Sequence, residues 1–204
     1  MCRASSDDVA TVADLLARAF ADEPIEQWCL ECDDLLALIK IEFAEAVGQL
    51  AATGSLWVTE DLRAAAAWIP PGSDYDDEAI DAVVSRALAA HGGWPERRLV
   101  FWNWVEEHRP STPHYYLDLV GVDPSRRRTG HGSLLLGEGL ARVDRAGAPV
   151  FLITSEASNA AWYARHGFVL RSEEQPPAGG PRVWFMDRPA YGLEHADHPR
   201  ARHI

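Results

Sequence analysis

The sequence predicts an α/β protein, with antiparallel strands first and a β-α-β unit in the second half. Three observations lead there. Apolar residues recur at helical spacing over residues 5–20 and 33–52. Two short strand-like runs then flank a tight turn. Further on, H-Y-Y-L-D-L-V-G-V leads through a basic turn into S-L-L-L-G-E-G-L-A-R-V, and V-F-L-I-T follows.

Each element has its own signal. The first helix, 5–20, aligns Val9, Val12, Leu16, Ala19 and Phe20; Ser5, Ser6 or Asp7 can cap it, and Pro24 ends the pattern. The second, 33–52, aligns Leu35, Leu36, Ile39, Phe43, Val47 and Leu50. Strands at Leu56–Thr59 and Ala64–Ile69 enclose E-D-L-R, and Pro70-Pro71-Gly72 stops the second. Helices are predicted over 76–90 and 94–108, the latter carrying Trp94, Trp102 and Trp104 among acids and arginines. His114–Val122 is a strand, and 130–146 a helix with Gly147 as its C-cap. Val150–Thr154 reads as a buried strand, and 158–166 as a short helix closed by Gly167. Phe168–Arg171 and Arg182–Met186 then pair around E-E-Q-P-P-A-G-G-P. Residues 1–190 read as one domain, and 191–204, with three histidines, as a frayed, flexible tail rather than a metal site.

Composition narrows the function. The chain has 204 residues, 47% apolar and 25% charged, with a net charge of −12. That acidity argues against a nucleic-acid partner, which needs a broad basic surface, and suits a neutral or cationic small molecule. No apolar run reaches membrane-spanning length, and M-C-R-A-S-S-D-D lacks the apolar core of a signal peptide. A cytoplasmic protein with no membrane partner is expected, as a monomer or homodimer. Cys29 and Cys32 form a C-x-x-C, but no second Cys or His pair stands at zinc spacing, so neither a metal nor a disulfide is expected.

The turn V-D-P-S-R-R-R-T-G-H-G, residues 122–132, follows a strand and opens a helix. The first N–H groups of a helix lack internal partners and carry partial positive charge, which suits a diphosphate. Gly130 and Gly132 let the backbone approach closely, and Arg126, Arg127 and Arg128 add charge. The residues alone leave a solvated basic loop open as the other reading. A third glycine is missing, as is G-K-[S/T], so the turn is neither a dinucleotide fingerprint nor a P-loop. About thirty residues on, N-A-A-W-Y-A-R-H-G-F puts Asn159 and Tyr163 on one helical face. A phenol there can protonate a leaving group, or simply pack.

Together these two segments resemble the GNAT family of acetyl-CoA-dependent N-acetyltransferases. Its cofactor turn, [Q/R]-x-x-G-x-[G/A], is matched by Arg127, Gly130 and Gly132, and its downstream signature by Asn159, Tyr163, Gly167 and Phe168. The stretches E-H-R-P-S-T-P-H-Y-Y-L-D-L-V-G-V, R-A-G-A-P-V-F-L-I-T-S, G-P-R-V-W-F-M-D-R-P and A-R-A-F-A-D-E-P are similar to the puromycin N-acetyltransferase-like members. The resemblance implies a GNAT fold: a mixed, mostly antiparallel twisted sheet with acetyl-CoA in a V-shaped opening between two central strands. It implies that Val120, Gly121 and Val122 pair with the pantetheine arm. Arg127, Arg128, Thr129, Gly130, His131, Gly132 and Ser133 would hold the pyrophosphate. Asn159 would fix the arm, and Tyr163 would protonate the departing thiolate. The amine of a small molecule, an aminonucleoside or other antibiotic, would attack the thioester directly, in resistance or biosynthesis. Two departures stand out. Ile153 replaces a Glu usual in the puromycin-type strand L-E-T-S, and Arg128 stands where the family often has Gly.

An alkylammonium must lose a proton before it attacks, and a carboxylate is the usual acceptor. Asp118, Glu156 and Glu106–Glu107 are candidates. Asp118 comes first because it interrupts an apolar strand, on the face that alternation shares with Tyr116 and Val120. Glu156 follows the strand of Ile153 and can reach inward in place of the missing Glu, or serve as a helix N-terminal acid. Trp28, Trp102, Trp104, Tyr115 and Tyr116 can wall an aromatic or cationic acceptor, beside Ile153. Asp22, Glu23 and Glu26 can attract a cation. Two rivals stay open: a GNAT enzyme acting on a protein N-terminus or lysine, and a non-catalytic acyl-CoA sensor.

Overall fold

A run of alanines, A-A-A-A-W-I, forms the strand around which the molecule is layered. The computed structural model describes residues 1–177 and 179–190; the tail expected over 191–204 lies outside the described residues. In chain order the elements are β1 (Cys2–Arg3), α1 (Val9–Phe20), α2 (Pro24–Cys29), α3 (Leu35–Ala52), β2 (Leu56–Val58), β3 (Ala64–Ile69), α4 (Asp77–Ala90) and α5 (Pro95–Glu107). Then come β4 (Tyr115–Val122), α6 (His131–Ala146), β5 (Val150–Thr154), α7 (Ala157–Ala164), β6 (Val169–Glu174) and β7 (Val183–Arg188). Two elements had no place in the sequence reading. Pro24 starts α2 as well as ending the earlier pattern, because it sits at the first helical position and the Glu23 carboxylate accepts from the Ile25 N–H at 2.8 Å. β1 has two residues, too few to show any period.

The strands form one seven-stranded sheet in the order β1-β2-β3-β4-β5-β7-β6. All neighbours are antiparallel except β4 and β5, which run parallel. Those two pair only at Tyr115–Val150 and Tyr116–Phe151, then separate, leaving the rest of β4 without a partner on that side. This is the V-shaped opening that the resemblance implies.

Each face of the sheet carries a core. Leu16, Phe43, Phe101, Tyr116 and Leu119 belong to one, beneath α1, α3, α4 and α5. Leu117, Leu135, Leu140, Leu152 and Tyr163 belong to the other, beneath α6 and α7. β3 is buried on both faces, Ala65 and Ala67 on the first and Ala64 and Ala66 on the second, and such small side chains let helices lie close. Two glycines extend that closeness. A Cβ on Gly139 of α6 would stand 2.1 Å from the Trp68 ring, and one on Gly121 of β4 would stand 2.4 Å from Leu16 of α1.

β4 is not regular. Ala67 pairs with Leu119 and Trp68 with Leu117, so Asp118 is an extra residue with no partner on β3, a β-bulge. The bulge corrects the expected alternation. Asp118 opens on the same side as Tyr116 and Leu119, whereas Val120 packs on the opposite face. Among the described residues, no helix is long and apolar enough to cross a membrane.

Candidate active site

The opening between β4 and β5 continues as a cleft of about 430 Å³. Val120, Gly121 and Val122 form one wall, Arg126 to Arg128 with Gly130, Gly132 and Ser133 another, and Glu156, Asn159 and Trp162 a third. The turn is shaped by its backbone. Gly130 (φ +93°) caps α6, and Arg128 (φ +63°) also lies in the left-handed region, which explains why glycine suits that position. The Leu134 N–H is bonded to the Gly130 carbonyl at 2.9 Å, so the N–H groups of His131, Gly132 and Ser133 are those a helix start leaves without internal partners. Asp123 holds the turn from behind. It accepts from the Ser125 hydroxyl at 2.7 Å and amide at 2.9 Å, and from Arg63 at 2.9 Å. Those bonds hold its carboxyl down at about 2.

The side chains of the turn divide the work. Arg127 is tied to the Ala19 carbonyl at 2.8 Å, so it binds the turn to the end of α1. Thr129 and His131 do not line the cleft: Thr129 donates to the Arg126 carbonyl and meets His131 Nδ1 at 2.7 Å, bracing the turn from outside. Arg126 and Arg128 are exposed at the cleft.

Beside the cleft, Glu23 accepts a hydrogen bond from Ser155 and from the Ile25 amide. Burial pushes its carboxyl above the usual range against those bonds. Tyr163 is buried in the second core next to Trp162 and Phe168, behind the cleft wall rather than on it, and its phenol is pushed up by burial and by the charge of Glu23. It therefore stays protonated at neutral pH. The sequence placed Glu23 only among cation-attracting loop acids; its tie to Ser155 spans 132 residues and left no local sign.

A second cavity, about 740 Å³, lies under α2 to α5, and Asp118 lines it. Nine Asp or Glu residues line it against two Arg. Asp118 is pushed up to about 7 by burial, then by the charge of Asp77, with Arg109 opposing. Arg109 stacks over Tyr116, 4.3 Å from the ring centre, and reaches Asp77 at 3.6 Å. Trp102 adds an aromatic wall and an indole N–H without a partner. Deeper, Arg98 bonds Glu42 at 2.8 Å and Asp81 at 2.9 Å. The sequence reading missed this cluster, yet it had a sign. Glu42 falls on the apolar face of its helix with Ile39 and Phe43, and Arg98 on that of Phe101 and Val105.

Several expected acceptor residues stand elsewhere. Tyr115 packs on the face of α6 and α7, one strand position from Tyr116. Trp28 lies under Arg97 and edge-on to Phe101, close to Gly180, and lines neither cavity. Trp104 is core. Ile153 pairs across to Phe185 and packs on the first core, so the position lines neither cavity either. Glu156 lines the cleft rather than the acidic cavity, because it is the exposed N-cap residue of α7. Burial raises the Cys29 thiol well above its usual range and keeps it protonated.

The model of the acetyltransferase (GNAT) family matches residues 13–168. The chain belongs to the GNAT family. GNAT domains use acetyl-CoA as the acyl donor. Solved structures agree in fold. A structure described as histone acetyltransferase HPA2 and related acetyltransferase, from Corynebacterium glutamicum, is 23% identical with a TM-score of 0.69, covering 98% of this chain and 97% of its own. Arylalkylamine N-acetyltransferase 2 from Aedes aegypti is 14% identical, TM-score 0.63, over 92% and 97%. A polyamine N-acetyltransferase from Drosophila melanogaster, which forms N-acetylagmatine, is 20% identical, TM-score 0.60, over 91% and 97%. At these identities the likeness is one of fold.

Proposed function

We propose that this GNAT acetyltransferase moves an acetyl group from acetyl-CoA directly to the amine of a small, positively charged molecule. One observation carries it: the cleft with a helix N-terminus and the acidic cavity share the wall of Phe20 and take successive residues of β4, Asp118 and Leu119 in the cavity and Val120 to Val122 in the cleft. The cleft fits the donor. Its free β4 edge can pair with an extended amide-bearing arm, and the N–H groups of Gly132 and Ser133, with Arg126 and Arg128, offer charge and donors to a diphosphate. Asn159 faces the same cleft. Bound acetyl-CoA supplies the activated acyl group. Asp118, once ionised, takes one proton of the incoming ammonium, the new C–N bond forms as the C–S bond breaks, and Tyr163 gives its phenolic proton to the sulfur; the nitrogen then sheds its second proton to solvent, from which the phenol is restored.

The acceptor follows from the cavity. Nine acidic residues against two arginines favour a cation, and Trp102 and Tyr116 offer flat walls. Two structural relatives bear names that fit, one an arylalkylamine and the other a polyamine acetyltransferase. An aminonucleoside such as puromycin, or another amine-bearing antibiotic, joins the same panel because it unites an aromatic group with a free amine, in a resistance or biosynthetic role.

The test is release of coenzyme A thiol from acetyl-CoA with a panel of arylalkylamines, diamines and puromycin, each product weighed by mass spectrometry. A gain of one acetyl on a small amine is the expected outcome. Thiol release independent of every amine, with no acetylated product, would overturn the proposal.

A further inference from the structure

We propose that Glu26 and Glu42 form a second cation subsite in the acidic cavity, so that the acceptor is an α,ω-diamine with one nitrogen at Asp118 and the other between these two carboxyls. The first nitrogen's placement rests on the acetyl-transfer reading above; the second stands on the cluster itself. Glu26 comes from α2, Glu42 from α3, Asp81 from α4 and Arg98 from α5, and all four line the cavity with Asp118.

Arg98 accounts for only part of this charge. It is 2% exposed, and one of its terminal nitrogens serves both Glu42 and Asp81. Oε2 of Glu26 and Oε2 of Glu42, itself 8% exposed, are buried without a partner, as is Nη1 of Arg98. Three carboxyl groups against one guanidinium leave excess negative charge out of water, which is costly unless something compensates it. In the empty cluster the compensation is a proton. Burial pushes the Glu26 carboxyl well above the usual range, and so do the charge of Glu42 and a hydrogen bond between the two side chains, against the pull of Arg98; the proton is shared between them. Glu23 and Cys29 also face it, and neither is a cation.

A purely structural ion-pair network would close on itself with its own cations. This one forms a cavity wall, and only a proton shared between Glu26 and Glu42 fills the gap. An alkylammonium is a compact charge with three N–H donors, so it can bond both orphaned oxygens at once. If it displaces the shared proton, the net charge of the cluster does not change. A diamine therefore seats its second nitrogen by exchange, releasing a proton that a monoamine leaves in place.

The experiment is calorimetric binding of 1,3- to 1,6-diamines and of linear monoamines of equal length to the full chain near neutral pH. Two buffers of different ionisation enthalpy count the protons released. One diamine length is expected to bind about tenfold or more tightly than its monoamine and to release additional protons. Glu26→Gln and, separately, Glu42→Gln are expected to erase most of that preference, with circular dichroism reporting the fold. Equal binding of diamines and monoamines overturns the subsite, as does a preference that survives Glu26→Gln. Turnover with acetyl-CoA separates the two proposals. A diamine preference without any acetylated product keeps the subsite and removes the acetyl-transfer reading. Equal kcat/KM for both amine classes does the reverse.

Discussion

The carboxyl of Asp118 is pulled two ways: burial and Asp77 keep its proton on, and Arg109 draws it off. The balance near 7 lies above the value of about 4 for an unfolded aspartate. The folded chain thus keeps a proton that the unfolded chain has lost, so stability from this group is present below about pH 4 and lost as pH rises to about 7. Activity runs the other way, because only the ionised form accepts a proton. Asp118→Asn should lower kcat/KM roughly 10²-fold at about pH 8 and remove the limb near 7 from the pH profile. Its melting temperature should exceed the native one most at the higher pH. Tyr163 needs the opposite condition, a proton that stays on, and its buried setting supplies it. Tyr163→Phe should cut kcat about 10²-fold with little change in KM, read from initial rates at saturating acetyl-CoA. Arg128 carries a cost in its backbone at φ +63°. Arg128→Gly should stabilise the chain by about 1 kcal/mol in urea melts and weaken coenzyme A binding, since a cleft cation goes with it.

Among the elements, the seating of α6 decides where its N-terminal N–H groups point. Gly139 presses that helix onto Trp68 of β3, and the ring has no room to spare, being 4% exposed. Gly139→Ala should destabilise by roughly 1–3 kcal/mol and raise KM for the donor more than for the amine, because the helix start moves with the helix. α1 is seated by the same means over Gly121, and Arg127 then ties its end to the turn. Elements of this length were legible in the sequence wherever a period ran for two turns or four strand residues; β5 matches its predicted bounds. The 6-residue α2 shows no such period, and its cap, Glu23, precedes a proline that reads equally well as a stop. The bulge was hidden for another reason. L-D-L-V-G-V alternates well enough to pass for a regular strand, and only the pairing with Ala67 and Trp68 reveals the extra residue.

Across the whole molecule, the two halves of the candidate site differ in how much the sequence disclosed. The cleft turn is local: strand, turn and helix start lie within twenty residues, so V-D-P-S-R-R-R-T-G-H-G carried most of it. The acidic cavity is assembled from α2, α3, α4, α5 and β4; D-Y-D-D-E at 74–78 supplies four of its acids, but the others are scattered from Glu26 to Asp118. That is why Trp28 and Tyr115 looked as eligible as Trp102 and Tyr116. The acid excess has a consequence at this scale. A chain of net charge −12 with a carboxylate-lined cavity should draw cations toward it over a distance that salt shortens. With acetyl-CoA saturating, raising ionic strength from about 0.05 to about 0.5 M should lower kcat/KM for a cationic amine roughly threefold or more and leave kcat nearly unchanged.

The unpaired position in β4 also makes Asp118 excisable. Without it, Leu117 and Leu119 would become successive residues opposite Trp68 and Ala67, and the ladder would close. Leu117 would still face α6, and Leu119 would still face α1. No apolar side chain would change sides. The carboxyl in the acidic cavity thus rides on a residue that the reading frame of the sheet does not count, so a three-base deletion, neutral to the fold, would remove it.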